Sequence, residues 1–165
     1  AVILPPAGAP PGCDDSKRLS LARRAELARA IRATCAWGLG QASVAEIDAL
    51  NIHQATLLAM RRAVAALPQR PALLLVDGLA DPQAGLPARC ISGGDASEPA
   101  IAAASILAKV ARDALMDRLD ALHPAYGFAQ HRGYPTAAHR AALAAHGPCP
   151  AHRRSFAPVA ALLAR

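Results

Sequence analysis

The spacing of apolar positions changes several times along the chain, and each change marks an element. Leu27, Ile31 and the alanines around them recur at helical intervals after Ser20, which stands at an N-cap position, so a turn followed by a helix is predicted over "DDSKRLSLARRAELARAIRAT". "CAWGLGQA" (35–42) reads as a short strand. "SVAEIDAL" follows with a capping box, Ser43 answered three residues on by Glu46. Asn51 then caps a longer helix that Pro68 terminates. "ALLLV" (72–76) is too short for an independent helix and is bounded by Pro71 and Gly78, so it reads as a buried strand of the parallel type. "ARCIS" (88–92) is a weaker strand leading into a loop, "GGDASEP".

Pro99 opens the longest predicted helix. Ile101, Ala104, Ala108, Ala111, Leu115, Leu119 and Leu122 step by three or four and place one apolar stripe along it, with small members suited to close approach to a sheet. A last clear helix spans Thr136 to His146, ending at Gly147. Strands interleaved with helices predict an α/β domain, and 165 residues suit a single one with its own core.

Composition narrows the classes. Apolar residues make up 53% of the chain, yet no run reaches the eighteen needed to span a membrane. The opening "AVILPPAGAPPG" has no basic leader and an apolar run of only four, unlike a signal peptide. It starts without methionine in the middle of an apolar run, as a chain cut inside a strand would. Cys13, Cys35, Cys90 and Cys149 form no C-x-x-C pair and read as free thiols of a reducing cytoplasm. A formal charge of +6 suits an anionic partner such as nucleic acid, and equally a soluble domain with an arginine bias. Only two of the eighteen basic residues are lysines, Lys17 and Lys109, which hints at sites wanting a compact point charge.

The candidate chemistry begins at Asp77, where a buried strand leaves the core. The carboxylate needs a cap, a cation or a metal ion to hold it there, and strand ends of this kind are where open α/β sheets place ligands. Asp95 lies eighteen positions on, after the next strand and before a helix. Two carboxylates at adjacent strand ends suit Mg²⁺ or Mn²⁺, and capping roles account for each alone. Ser16 and Lys17, before the first long helix, offer a hydroxyl and an ammonium to a phosphate, or form a plain turn. "HRGYPT" (131–136) sets Arg132, a glycine and Tyr134 together, with the ring of Tyr134 available to a sugar or base, or simply a surface aromatic. "HRRSF" (152–156) is a basic cluster ending in Phe156, which either meets phosphate or anchors the C-terminal segment. The six histidines show no metal-ligand spacing.

In order along the chain, "DDSKRLS", "EIDALNIHQATLLAMRRAV", "LLLVDG", "GGDASEPAIAAASILAKVARDALM", "YGFAQHRGYPT" and "HRRSFAPV" together resemble bacterial ribonuclease HII. The resemblance implies a ribonuclease H-like fold, a five-stranded mixed sheet flanked by helices with a helical C-terminal portion. It also implies an endonuclease that cuts the RNA strand of RNA–DNA hybrids. Such an enzyme nicks on the 5′ side of a ribonucleotide embedded in duplex DNA, using carboxylate-held Mn²⁺ or Mg²⁺. By position Asp77 and Asp95 match two of the family's four metal carboxylates. Ser16 and Lys17 match its substrate-backbone element, Tyr134 its sugar-packing tyrosine, and Arg132 a position where lysine is common. The resemblance further implies a cytoplasmic monomer, with a sliding clamp as a candidate partner.

The departures are specific. The family's D-E-x-x-R-G motif, which supplies the other two carboxylates on the central strand, does not occur in the chain, and neither does the glycine–arginine–glycine element that senses the ribose 2′-hydroxyl. Asp14 and Asp15 lie in the wrong region to replace the motif. Ser97 and Glu98 follow Asp95 where a basic residue is common, and Leu79 and Ala80 replace Asn-Arg after "VDG". The expectation is therefore that residues 1–165 are inactive by themselves. The alternative is a non-catalytic nucleic-acid-binding paralogue.

Overall fold

A computed structural model describes residues 1–164. The elements run β1 Val2–Ile3, α1 Leu21–Thr34, β2 Ala36–Trp37, α2 Val44–Leu50, α3 Ile52–Ala65, β3 Leu74–Asp77, β4 Ala88–Ile91, α4 Gly94–Ser97, α5 Pro99–Leu122, a 3₁₀ turn at Pro124–Tyr126, α6 Phe128–His131, α7 Ala137–His146 and α8 Ala157–Leu163. The chain divides into two compact units. The first holds Ala1–Gln41 and Thr56–Val110, the second Ala42–Ala55 and the residues from Ala111 on.

Local chemistry sets the helix starts. Ser20 accepts the Arg23 N–H at 3.2 Å to open α1. Ser43 and Glu46 cap α2 reciprocally, the Glu46 carboxylate accepting the Ser43 N–H at 2.8 Å. Asn51 sits at φ 70° and ψ 165°, a strained backbone region that glycine usually fills, and its side chain accepts the Gln54 N–H at 3.1 Å to start α3. Thr136 does the same for α7 by accepting the His139 N–H.

Three predicted segments come out differently. The strand expected over 35–42 is two residues long, because its continuation runs against α3. A Cβ on Gly40 would stand 2.1 Å from the Ala59 carbonyl oxygen, so only glycine permits that approach. The "GGDASEP" loop contains the single helical turn α4. The apolar stripe expected along α5 is not its most buried face. Within the first unit that face carries Ala103, Ile106 and Leu107, packed on Leu27, Ala28 and Ile31 of α1. Part of the expected stripe, Ile101, Ala104 and Ala108, instead lines an apolar cavity of about 600 Å³.

The sheets explain that cavity. The implied five-stranded sheet is not present among the described residues. β1 pairs antiparallel with β2, β3 pairs parallel with β4, and nothing joins the two pairs. Val2–Leu4 and Leu73–Asp77 line the same cavity, with Met60 and Val64 of α3 also on its wall. Two strand edges therefore open onto one apolar slot.

The second unit has a separate core of Tyr126, Phe128, Leu143 and Val159. The Tyr126 ring stacks on Phe128 with centroids 5.5 Å apart, and its hydroxyl donates to the Gly147 carbonyl at 2.7 Å. Among the described residues no helix is long and apolar enough to cross a membrane, and the four cysteines are free thiols.

Candidate active site

Asp77 ends β3 in parallel register with Ile91 of β4. After Ile91 the chain turns through Gly93 at φ 68° into α4, which brings the Gly94 N–H to the Asp77 carboxylate at 2.9 Å. That bond answers what holds Asp77. It also fixes Asp95, the next residue, one peptide away from the group that Asp77 binds. The strand pairing and the turn thus deliver both carboxylates to the carboxyl end of the β3–β4 pair.

Asp95 has a second neighbour. Its side chain is 13% exposed, and Lys17 Nζ lies 3.6 Å from its Oδ2 while the lysine itself is 76% exposed. The turn that presents Lys17 is built by its own acids. Asp15 accepts the Lys17 N–H at 2.9 Å, and Asp14 pairs with Arg18. These aspartates are occupied in the turn. Ser16 is buried, accepts the Ser105 hydroxyl at 2.9 Å, and has its carbonyl bound by Arg24. Its hydroxyl faces inward as a strut, and Lys17 is the exposed member of the pair.

Two carboxylates offer hard oxygen donors of the kind Mg²⁺ and Mn²⁺ take. Among the described residues no group of three or more His, Cys, Asp or Glu is arranged to hold a metal ion. The donor chemistry fits such a cation, and the donor number is that of a partial site.

In the second unit Arg132 and Gly133 take consecutive left-handed conformations, φ 53° and 84°. The Arg132 guanidinium donates to the Asp113 carbonyl at 2.8 Å and pairs with the Asp117 carboxylate. It is committed within the protein more than a free phosphate contact would be. Tyr134 is 65% exposed and projects from the turn that follows.

Two arrangements escaped the sequence. Asp48 of α2 accepts the N–H groups of Arg154 and Ser155 and the Ser155 hydroxyl, which holds its carboxyl below the usual range. The "HRRSF" segment is thus tied down by a residue more than a hundred positions away, and Phe156 packs beside the second core as an anchor. The histidines at 131, 139 and 152, dismissed as metal ligands, are all buried and linked to one another.

The family model for ribonuclease HII matches residues 10–159. The chain belongs to the ribonuclease HII family. Ribonuclease HII of Chromobacterium violaceum is 58% identical over 166 residues, covering 99% of this chain and 84% of the relative. That of Verminephrobacter eiseniae is 61% identical over 150 residues, covering 90% and 72%. Among solved structures, ribonuclease H2 from Pyrococcus horikoshii OT3 matches with a TM-score of 0.73 at 22% identity, over 92% of this chain and 80% of that one. The ribonuclease HII in a complex with PCNA from Archaeoglobus fulgidus matches with a TM-score of 0.73 at 27% identity, over 88% and 78%. The family and the fold implied by the six motifs are therefore established. Ribonuclease HII is a family of divalent-metal-dependent endoribonucleases acting on RNA–DNA hybrids.

Proposed function

We propose that this ribonuclease HII nicks on the 5′ side of ribonucleotides embedded in duplex DNA, and cuts the RNA strand of hybrids. Asp77 and Asp95 would be two of the carboxylates that hold Mn²⁺ or Mg²⁺. The observation that carries this reading is the Asp77–Gly94 bond, which ties the Asp77 carboxylate to the turn whose next residue is Asp95. When bound, the cations supply an activated water and stabilise the leaving oxygen of an in-line displacement, leaving 5′-phosphate and 3′-hydroxyl ends.

The chain's own residues prepare that site. Gly94 orients the Asp77 carboxylate and spends one of its oxygens, leaving the other for a ligand. Lys17 offsets the charge of Asp95 and, being exposed, can exchange that partner for a substrate phosphate. In the second unit Tyr134 offers an exposed ring to the sugar beside the ribonucleotide. Arg132, held by Asp117, stiffens the turn that presents it. We place the protein in the cytoplasm as a monomer, with a sliding clamp as a candidate partner.

Two carboxylates fall short of what two cations require, so residues 1–165 alone should bind without cutting. The test is duplex DNA carrying one ribonucleotide, with Mn²⁺ present. Binding without nicking is expected, since the family's 2′-hydroxyl sensor does not occur in the chain. Failure to bind the duplex would contradict the substrate assignment, and nicking would contradict the partial site.

A further inference from the structure

The buried histidines of the second unit form a chain whose proton positions follow from their partners. The Cys149 N–H points at His152 Nδ1 at 3.1 Å, so that nitrogen is an acceptor and the proton of a neutral ring sits on Nε2. His152 Nε2 lies 3.1 Å from His139 Nε2, which must then accept, placing the His139 proton on Nδ1. His139 Nδ1 lies 3.0 Å from the Tyr134 carbonyl, which receives it. Independently, the Gly133 N–H donates to His131 Nδ1 at 3.1 Å, so His131 Nε2–H donates to the Tyr126 carbonyl at 2.7 Å. The His131 and His139 rings stack with centroids 4.0 Å apart. Every donor meets an acceptor, and each ring is satisfied in one tautomer only.

We propose that His152, His139 and His131 are positioning residues: a relay of neutral imidazoles that fixes the backbone of the 131–136 turn and so places Tyr134. The exposed Tyr134 side chain is little constrained by packing, so what the protein holds is the point from which it projects, a backbone fixed at Gly133 and at its own carbonyl. The substrate part of this proposal rests on the reading that Tyr134 meets the sugar of the nucleic acid. A second proton on any of the three rings would set donor against donor: His152 Nδ1 against the Cys149 N–H, His139 Nε2 against His152, His131 Nδ1 against the Gly133 N–H. Burial and neighbouring histidines already disfavour the charged forms of His139 and His152. The other titratable groups facing the cluster are Cys149 and Tyr126, with His123 acting on His152 at longer range.

The test combines imidazole ¹⁵N NMR with two variants of residues 1–165. Near pH 7.5 the wild type should show His152 and His131 protonated on Nε2 and His139 on Nδ1. His139→Asn keeps an N–H where Nδ1 was, and His139→Gln moves the amide to the Nε2 position. The Gln variant should shift and broaden the Gly133 and Tyr134 amides and lower the affinity for a ribonucleotide-containing duplex about 5- to 10-fold, the scale of one lost hydrogen bond. The Asn variant should hold both readouts within about 2-fold. An Nε2–H tautomer at His139, or equal behaviour of the two variants at the Tyr134 amide, would overturn the relay. If the tautomers and amide shifts come out as expected while the Gln variant binds that duplex as tightly as the wild type, the relay stands and the substrate reading of Tyr134 fails.

Discussion

Asp77 lies at a strand end that the sequence marks clearly, four apolar residues running into a carboxylate and then a glycine. Its partner was less legible. The Gly94 N–H reaches it only because β3 and β4 pair in parallel and Gly93 turns the chain back, and neither event has a local signature. The Lys17–Asp95 pair joins residues too far apart for any spacing rule to find. The histidine relay is hidden for the same reason, since positions 131, 139 and 152 meet only after α7 and its flanking turns have formed. At this scale pH gives a prediction. The charged forms of His139 and His152 are disfavoured in the folded state relative to the ordinary value of 6.5. The unfolded chain therefore binds more protons below that value, and the stabilisation is complete above about pH 6.5 and lost progressively as pH falls. Urea melts of residues 1–165 should show a lower midpoint at pH 5.5 than at 7.5. An unchanged midpoint would mean that the rings do not stay neutral.

At the level of elements, the caps at Ser20, Ser43 and Asn51 were readable because each acts on an N–H three residues away; Thr136, read as the first helical residue, is the cap of α7. The orientation of α5 was only half readable. Its periodicity showed an apolar stripe, but the alanines around the helix allow burial on an adjacent face, and that face packs on α1. The contrast can be measured. Ala103 is fully buried against α1, so Ala103→Glu should leave little folded protein, because a carboxylate there has neither room nor partner. Ala108 is exposed on the slot, and Ala108→Glu should change stability by less than about 0.5 kcal/mol. Comparable losses in denaturant melts would refute the assignment of the two faces. Ile106→Ala should cost about 2–5 kcal/mol in the same assay, the range for truncating a fully buried aliphatic side chain.

For the whole molecule, family membership was legible from six motifs in order, and so was the gap in the sheet. The resemblance implied five strands with the central one not occurring in the chain, and the described residues form two separate pairs with open edges on a common apolar slot. Unpaired edges beside apolar surface are exposed binding sites, so residues 1–165 should bind an apolar dye. A sample that binds none would contradict an open slot. The net charge of +6 adds that duplex affinity should fall steeply with added salt.

The most direct measurement on the central claim is Mn²⁺ binding to residues 1–165, followed by the electron paramagnetic resonance of the free ion. The account predicts weak binding, with Kd on the order of 1 mM, that is lost in both Asp77→Asn and Asp95→Asn while the far-ultraviolet circular dichroism stays unchanged. Binding that survives in both folded variants would place the metal elsewhere and contradict the site.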